Sequence, residues 1–249
     1  MKKYIATTLL LFIVLSAYGQ HAENSFKKWQ LGLSIEPVYS YRKLNLNSSE
    51  EWIEALRDSE EIPALGYRLG LAARKEINSR WSTDVALQFG TSGYTTKKED
   101  LEWITEDDNL PKAARTRFAY RFLSIPVKAN YHFKLGGIGA YVSAGASFDY
   151  FFNKRITVRS YYADGTRTKT VSSNNFGYEN TCSVIFGMGM NLPINKRLWL
   201  SVEPNFRGNI VTITKREIGR EYLYSFGINS TLLIKFRRKD YEKSAGAHN

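Results

Sequence analysis

Three histidines, one cysteine and a scatter of carboxylates are what this sequence offers to catalysis. His21 and His248 stand in the terminal segments, and His132 ends an alternating run beside a short turn, where an interior hydrogen-bonding role accounts for it. A hydrolytic site needs a nucleophile and a base within hydrogen-bond reach. Asp149 and Glu179 could do acid–base work as a pair, but salt bridging explains both with less. Asp107, Asp108 and Asn109 form a short acidic run without the spacing of a calcium loop. Gly136-Gly137-Ile138-Gly139 reads as a hairpin turn, because no helix follows to complete a phosphate site. Cys182 has no second thiol to pair with. The expectation is a chain that is not an enzyme and carries no metal or cofactor.

Composition narrows the partners. The formal net charge is +11, a balance that draws nucleic acid, anionic lipid or lipopolysaccharide. Lys and Arg are spread over loops, tails and strand ends, without the basic, aromatic-interleaved stripe of a nucleic-acid binder. Residues 1–19 also argue for export. They begin Met1-Lys2-Lys3, run apolar from Ile5 to Leu15 apart from Thr7 and Thr8, and end Ser16-Ala17-Tyr18-Gly19. A basic start, an apolar middle and small residues at the cleavage positions define a signal peptide, so a mature chain from Gln20 is expected. Nucleic acid is thereby excluded as a partner. Mean hydropathy is −0.37 and no other apolar run is long enough for a membrane helix. Strands that alternate two faces average to such a value while still spanning a bilayer.

The elements that must position these residues follow a period of two. Trp29, Leu31, Leu33, Ile35, Pro37, Tyr39 and Tyr41 oppose Gln30, Gly32, Ser34, Glu36 and Ser40. Leu65, Tyr67, Leu69, Leu71 and Ala73 oppose Gly66, Arg68, Gly70, Ala72 and Arg74, and similar runs begin at Trp81, Leu123, Ile138, Cys182, Leu198 and Tyr222. Between them lie tight turns at 78–80, 134–137 and 195–197 and long segments near 42–64, 95–116, 153–175 and 209–221. These elements predict an all-β fold: an eight-stranded antiparallel up-and-down transmembrane β-barrel with short periplasmic turns and long extracellular loops. The expected divisions are a cleaved signal peptide (1–19), a periplasmic N-terminal segment (20–28), the barrel (29–236) and a periplasmic C-terminal tail (237–249).

Aromatic residues decide which face meets lipid. Trp29, Trp81, Tyr131, Phe133 and Phe236 gather near the tight turns, and Tyr39, Tyr41, Tyr67, Phe89, Tyr150 and Tyr222 near the long loops, as two girdles on the apolar face. The opposite face is rich in Gly, Ser and Asn and carries Glu36, Asp84, Asp149, Glu179 and Glu203 beside Arg68, Arg74, Lys128, Arg207 and Lys235. An interior ionic and hydrogen-bonded network that fills the lumen is expected, since poorly hydrated charges persist in pairs. The alternative is the lining of a thin solute path. The first long loop is acidic, with Glu50, Glu51, Glu54, Asp58, Glu60 and Glu61 around Trp52, Ile53 and Leu56, and its pattern fits a short amphipathic helix. Lys154, Arg155, Arg159, Arg167, Lys169, Lys215, Arg216 and Arg220 make the third and fourth loops basic. Such a rim suits lipopolysaccharide phosphates, unless acidic and basic loops pair with each other or are merely solvated.

The segment Phe122-Leu123-Ser124-Ile125-Pro126-Val127-Lys128 with Tyr131 and Phe133, the strand Gly139-Ala140-Tyr141-Val142-Ser143-Ala144-Gly145 and the Gly19-Gln20 junction resemble the Bacteroidetes-type outer-membrane β-barrel family that includes the PorT-like proteins. That resemblance covers nearly the whole mature chain. It implies fold and location, together with an accessory role in secretion or envelope assembly as one alternative, and leaves activity unassigned. Such barrels commonly stop at an aromatic residue, whereas this chain continues from Arg237 to Asn249 beyond Phe236. The expected surroundings are outer-membrane lipid and lipopolysaccharide, with an envelope or secretion protein as a further partner. The expected role is structural or interactive, through the external loops around a plugged polar lumen. A narrow channel or an enzyme that modifies lipid A stands behind it.

Overall fold

The computed structural model describes residues 29–235 apart from 47–50, 105–106, 108, 136–137, 176 and 215–218. The expected signal peptide, the 20–28 segment, Glu50, Asp108, Lys215, Arg216, Phe236 and the 237–249 tail lie outside the described residues. In chain order the strands are β1 (Trp29–Asn45), β2 (Glu61–Glu76), β3 (Trp81–Thr96), β4 (Glu99–Asp100), β5 (Ala113–Leu135), β6 (Ile138–Tyr161), β7 (Arg167–Asn174), β8 (Thr181–Pro193), β9 (Leu198–Asn209) and β10 (Arg220–Lys235). Helix α1 (Glu51–Glu60) joins β1 to β2.

All ladders are antiparallel. Strand β1 pairs with β2 and β10, and the β5–β6 pairing completes a ring β1-β2-β3-β5-β6-β8-β9-β10. The short β4 and β7 attach to β5 and β6 outside that ring, leaving eight of the ten strands to form the wall. Consecutive wall strands are neighbours throughout, so the expected up-and-down barrel is the observed architecture.

Side-chain alternation sorts the wall. Leu33 is 64% exposed and Ser34 only 5%, because successive residues of a strand point to opposite faces. Leu31, Leu71, Leu87, Phe186, Met188, Phe226 and Ile234 stand on the outer surface. Val202 shares that face through its pairing with Ser230 and Met190. Gln30, Glu36, Arg68, Arg74, Asn130, Glu203 and Arg207 are buried inside. The outer face carries an apolar band and the inner face carries the charges, the reverse of a water-soluble barrel.

Side-chain turns close the tight end. Asn78 Oδ1 accepts the amides of Arg80 and Trp81 at 2.8 Å each, and Asn195 Oδ1 accepts those of Arg197 and Leu198 at 2.8 and 2.9 Å. These Asx bonds replace ladder bonds that a chain reversal cannot make. At the opposite end the strands run well into the stretches expected as loops: β1 continues to Asn45, β5 begins at Ala113, and β6 pairs with β7 beyond the wall.

Irregularities fall at defined places. A register shift between Pro63 and Tyr67 bends β2 against β3. A second, between Arg121 and Phe122, passes over Phe152, so β6 changes which parity faces inward. Three ladders are interrupted where prolines fall: β1–β10 at Pro37, β3–β5 at Pro126 and β8–β9 at Pro204. Proline has no amide hydrogen to donate to a ladder.

The aromatic residues assigned to the girdles differ in exposure. Tyr39, Tyr67, Trp81, Phe89, Phe133 and Tyr150 are exposed on the outer face, while Trp29, Tyr131 and Tyr222 are half-covered. Trp81 and Tyr131 meet edge to face at 5.1 Å. Tyr41 departs from the girdle. Its ring is half-buried against Tyr94 and Tyr224, and its hydroxyl donates to the Glu61 carbonyl at 3.2 Å, because the junction of α1 and β2 lies against it.

Replacing Leu71, which stands between Leu33 and Leu87 in the cross-strand register, tests the assignment of faces. Leu71→Arg is expected to weaken folding into phospholipid vesicles by about 2–4 kcal/mol, measured by urea titration of heat-modifiable mobility. Unchanged stability would place Leu71 outside the hydrocarbon layer.

Candidate functional site

Inside the wall the polar face forms three tiers. Nearest the tight turns, Lys235 Nζ lies 3.2 Å from Glu76 Oε1, and Gln30 Nε2 donates to the same oxygen at 2.6 Å. This Lys235–Glu76 pair is the least enclosed of the interior bridges, with side chains 38% and 42% exposed. The Lys235 ammonium also sits 4.6 Å from the Trp199 ring centre. Ser82 Oγ and His132 Nε2 are 2.7 Å apart, yet Ser82 is only 1% exposed and also accepts from Asn130 Nδ2 at 3.1 Å. That pair ties β3 to β5, with Ser82 enclosed and His132 lining an open cavity of about 480 Å³ at this end together with Gln30, Glu76 and Lys235.

The middle tier joins strands from opposite sides. Arg74 grips Asp84 with two parallel bonds, Nε to Oδ1 at 2.7 Å and Nη2 to Oδ2 at 2.8 Å, and donates to Asn191 Oδ1 at 2.8 Å. Two-pronged guanidinium–carboxylate contacts are the strong and directional form of ion pair. Lys128 Nζ donates to both oxygens of Glu203 at 2.6 and 2.8 Å, and Tyr141 adds its hydroxyl to Oε2 at 2.9 Å. The Tyr141 ring fills the space over Gly189, where an added methyl carbon would come within 2.5 Å of it. Only glycine admits that approach.

Above these, Arg68 donates to Glu36 at 3.0 Å and to Ser225 at 2.9 Å. Arg207 pairs with Asp149, which also accepts from Ser147 and Ser183. Voids of about 30 and 20 Å³ remain between the layers, room for isolated water molecules only.

The outer half of the bore is filled by a different chemistry. Tyr94, Tyr120, Phe122, Phe151, Ile213 and Leu223 form a buried apolar cluster, with Tyr178 and Phe118 packed against it. Glu221 accepts from Tyr120 at 2.7 Å, and Arg42, fully enclosed, pairs with Glu61 and lies 3.3 Å from Asp58 of α1. Arg57 of the same helix reaches Glu61 at 2.9 Å and donates to the Tyr94 hydroxyl at 2.9 Å. Asp58 and Glu61 of the first acidic loop therefore pair with Arg42 and Arg57 rather than with the basic loops.

Most expected lumen residues are brought together, and two placements need correction. Glu179 is exposed on the loop after β7 and stands away from Asp149, since the inward part of β8 begins only at Thr181. Lys154 is buried at 7% exposure and belongs to the lumen, not to the basic rim. The β6 bulge turns it inward, where its ammonium donates to the Tyr178 hydroxyl at 2.6 Å and lies 4.7–5.0 Å from the ring centres of Phe118, Tyr178 and Tyr120. Arg155 is half-exposed and Arg159, Arg167 and Arg220 are exposed at the outer end. Arg42, Glu61, Tyr94, Tyr120 and Glu221 are the enclosed lumen residues that alternation missed. Their signal was an inward-parity continuation of β1, β3, β5 and β10 into the supposed loops.

Residues 54–232 match the family described as outer membrane protein beta-barrel domain. No curated protein matches the chain significantly. Among solved structures, the chain is similar to Neisserial surface protein A at 12% identity and a TM-score of 0.42, covering 83% of this chain and 97% of that one. It is similar to the outer membrane protein AlkL at 10% identity and 0.45, covering 88% and 96%. It is also similar to Ail, the attachment invasion locus protein of Yersinia pestis, at 10% identity and 0.36, covering 83% and 99%. With the apolar exterior, the closed ring and a family match over most of its length, the chain belongs to the outer membrane protein beta-barrel domain family.

Proposed function

We propose that this barrel is a non-catalytic, plugged anchor in the outer membrane whose work is done at its outer rim, by contact with lipopolysaccharide. The observation that carries this reading is the closed middle and far half of the bore: beyond an open cavity of about 480 Å³ at the tight-turn mouth lie enclosed ion pairs, then aromatic rings, with voids of about 30 and 20 Å³ between them. An eight-stranded ring leaves space for side chains and little else. In this reading the chain is exported by its signal peptide and the tight-turn end, where Trp29 and Lys235 lie, faces the periplasm with both termini, because outer-membrane barrels keep short turns on that side. The exposed Trp52 and Leu56 on α1 favour a second reading, the PorT-like role of accessory to secretion or envelope assembly.

Three measurements bear on these readings. Purified protein in planar bilayers is expected to give no steady conductance, and a stable ohmic pore would replace the plug with a channel. Lys128→Met strands the Glu203 carboxylate and is expected to cost about 3–5 kcal/mol, while Lys128→Met combined with Glu203→Leu recovers most of that loss. A double-mutant cycle by urea unfolding in vesicles checks the coupling, and additive losses would remove the ion pair from the account. Photocrosslinking from position 52 in intact envelopes is expected to yield one protein adduct if the second reading holds and lipid adducts alone if it does not.

A further inference from the structure

The outward face of β5, β6 and β7 carries a row of like charges in direct register. Arg115 of β5 stands opposite Arg159 of β6, and Arg159 stands opposite Lys169 of β7. Directly opposed residues of antiparallel strands hold their Cβ atoms about 4.5–5.5 Å apart, and like charges so placed destabilise the sheet. Further outward positions add the same sign, with Ala119 and Thr157 interspersed: Arg117 and Arg121 on β5 and Arg155 on β6, the last opposite Ala119. Among the described residues none of these cations forms a salt bridge. Arg115 and Arg117 bond only to the carbonyls of Thr96 and Leu65. The nearby acids do not answer them: Glu99 pairs with Ala114 and so falls on the other face, while Asp100 lies at the far tip in the Ala113–Tyr161–Arg167 row.

Where this face sits is as informative as its charge. Arg121 is followed at the next outward position by Leu123, and beside it Tyr150 and Phe152 are exposed, with Phe152 edge-on to Phe89 at 6.3 Å. The cations therefore begin at the upper edge of the apolar band, where lipid headgroups lie. Arginine forks match phosphate oxygens two at a time, and a bound phosphate would turn the repulsion within the row into shared attraction.

We propose that the Arg115–Arg159–Lys169 row, flanked by Arg117, Arg121 and Arg155, is a binding site for the phosphate groups of the outer-leaflet glycolipid. This rests on the outer-membrane reading and gives its rim contact a definite place. The test compares wild type with Arg115→Gln/Arg159→Gln/Lys169→Gln, after heat-modifiable mobility has shown both to be inserted. Binding is measured against vesicles of phosphorylated lipid A and of dephosphorylated lipid A, each with and without inorganic phosphate. Wild type is expected to prefer the phosphorylated vesicles, and the variant to lose at least about tenfold in that affinity, the scale of one charge-assisted contact. In phosphate-free detergent the variant is expected to melt no lower than wild type, because the repulsion is gone. Equal affinity for both lipids, or a variant that keeps the preference, overturns the site. Full competition by inorganic phosphate at the lipid's own concentration assigns the row to free phosphate and overturns the glycolipid. Failure of wild type to insert would count against the outer-membrane reading instead.

Discussion

Through its middle a ring of eight strands encloses a space too narrow for bulk water, and the charged groups pointed into it find their partners there. The rest of the molecule answers to that constraint. An arginine placed inward needs a carboxylate on a strand within reach, as Arg74 finds Asp84 and Arg207 finds Asp149. Where large rings enter, the facing strand yields to glycine, as at Tyr141 and Gly189. The outer face is freed of such demands and needs only apolar bulk.

The bore uses two materials in sequence. Its middle is ionic, with geometry fixed by forked and bifurcated hydrogen bonds that hold each charge in place. Its outer half is aromatic, and the charges there serve to fasten α1: Arg42 and Arg57 both reach Glu61, and Arg57 also holds the Tyr94 hydroxyl. The helix is thereby tied to the apolar cluster through Arg57, and to β1 through Asp58 beside Arg42. Asp164 shows the contrasting solvent-side pattern, where the Thr166 hydroxyl and amide bond its carboxylate in the β6–β7 turn and hold it below its usual protonation range.

Much of this was legible from alternation. The period of two located each wall strand, and the distribution of tyrosine, tryptophan and phenylalanine identified the outer face. What alternation could not carry was its own interruption. A bulge at β6 exchanges inward and outward parity without any residue type announcing it, so Lys154 read as a rim cation when it is enclosed by three rings. Glu179 failed for a related reason: one acidic residue shortly before a strand looks the same whether or not the strand has begun. The aromatic cluster was hidden because strands that outrun the membrane no longer need an apolar outer face, and their pattern fades into apparent loop. The like-charged row was invisible for a different reason, since cross-strand register is a property of pairing and not of local sequence.

The prolines divide the wall in a way the closed ring conceals. The interruptions at Pro37, Pro126 and Pro204 divide the wall into three blocks, β1-β2-β3, β5-β6-β8 and β9-β10, the first two also carrying the register shifts at Pro63–Tyr67 and Arg121–Phe122. On the outer surface a groove of about 580 Å³ runs over two of these joints, β1–β10 and β8–β9, lined by Pro37, Tyr39, Phe186, Pro204, Phe206 and Ile228. What fastens the blocks is the lumen: Lys128 to Glu203, Arg207 to Asp149, Arg74 to Asn191 and Arg68 to Ser225 each cross from one block to another. The interior side chains thus act as a girder, bracing across its width a cylinder whose circumference is already closed by its ladders.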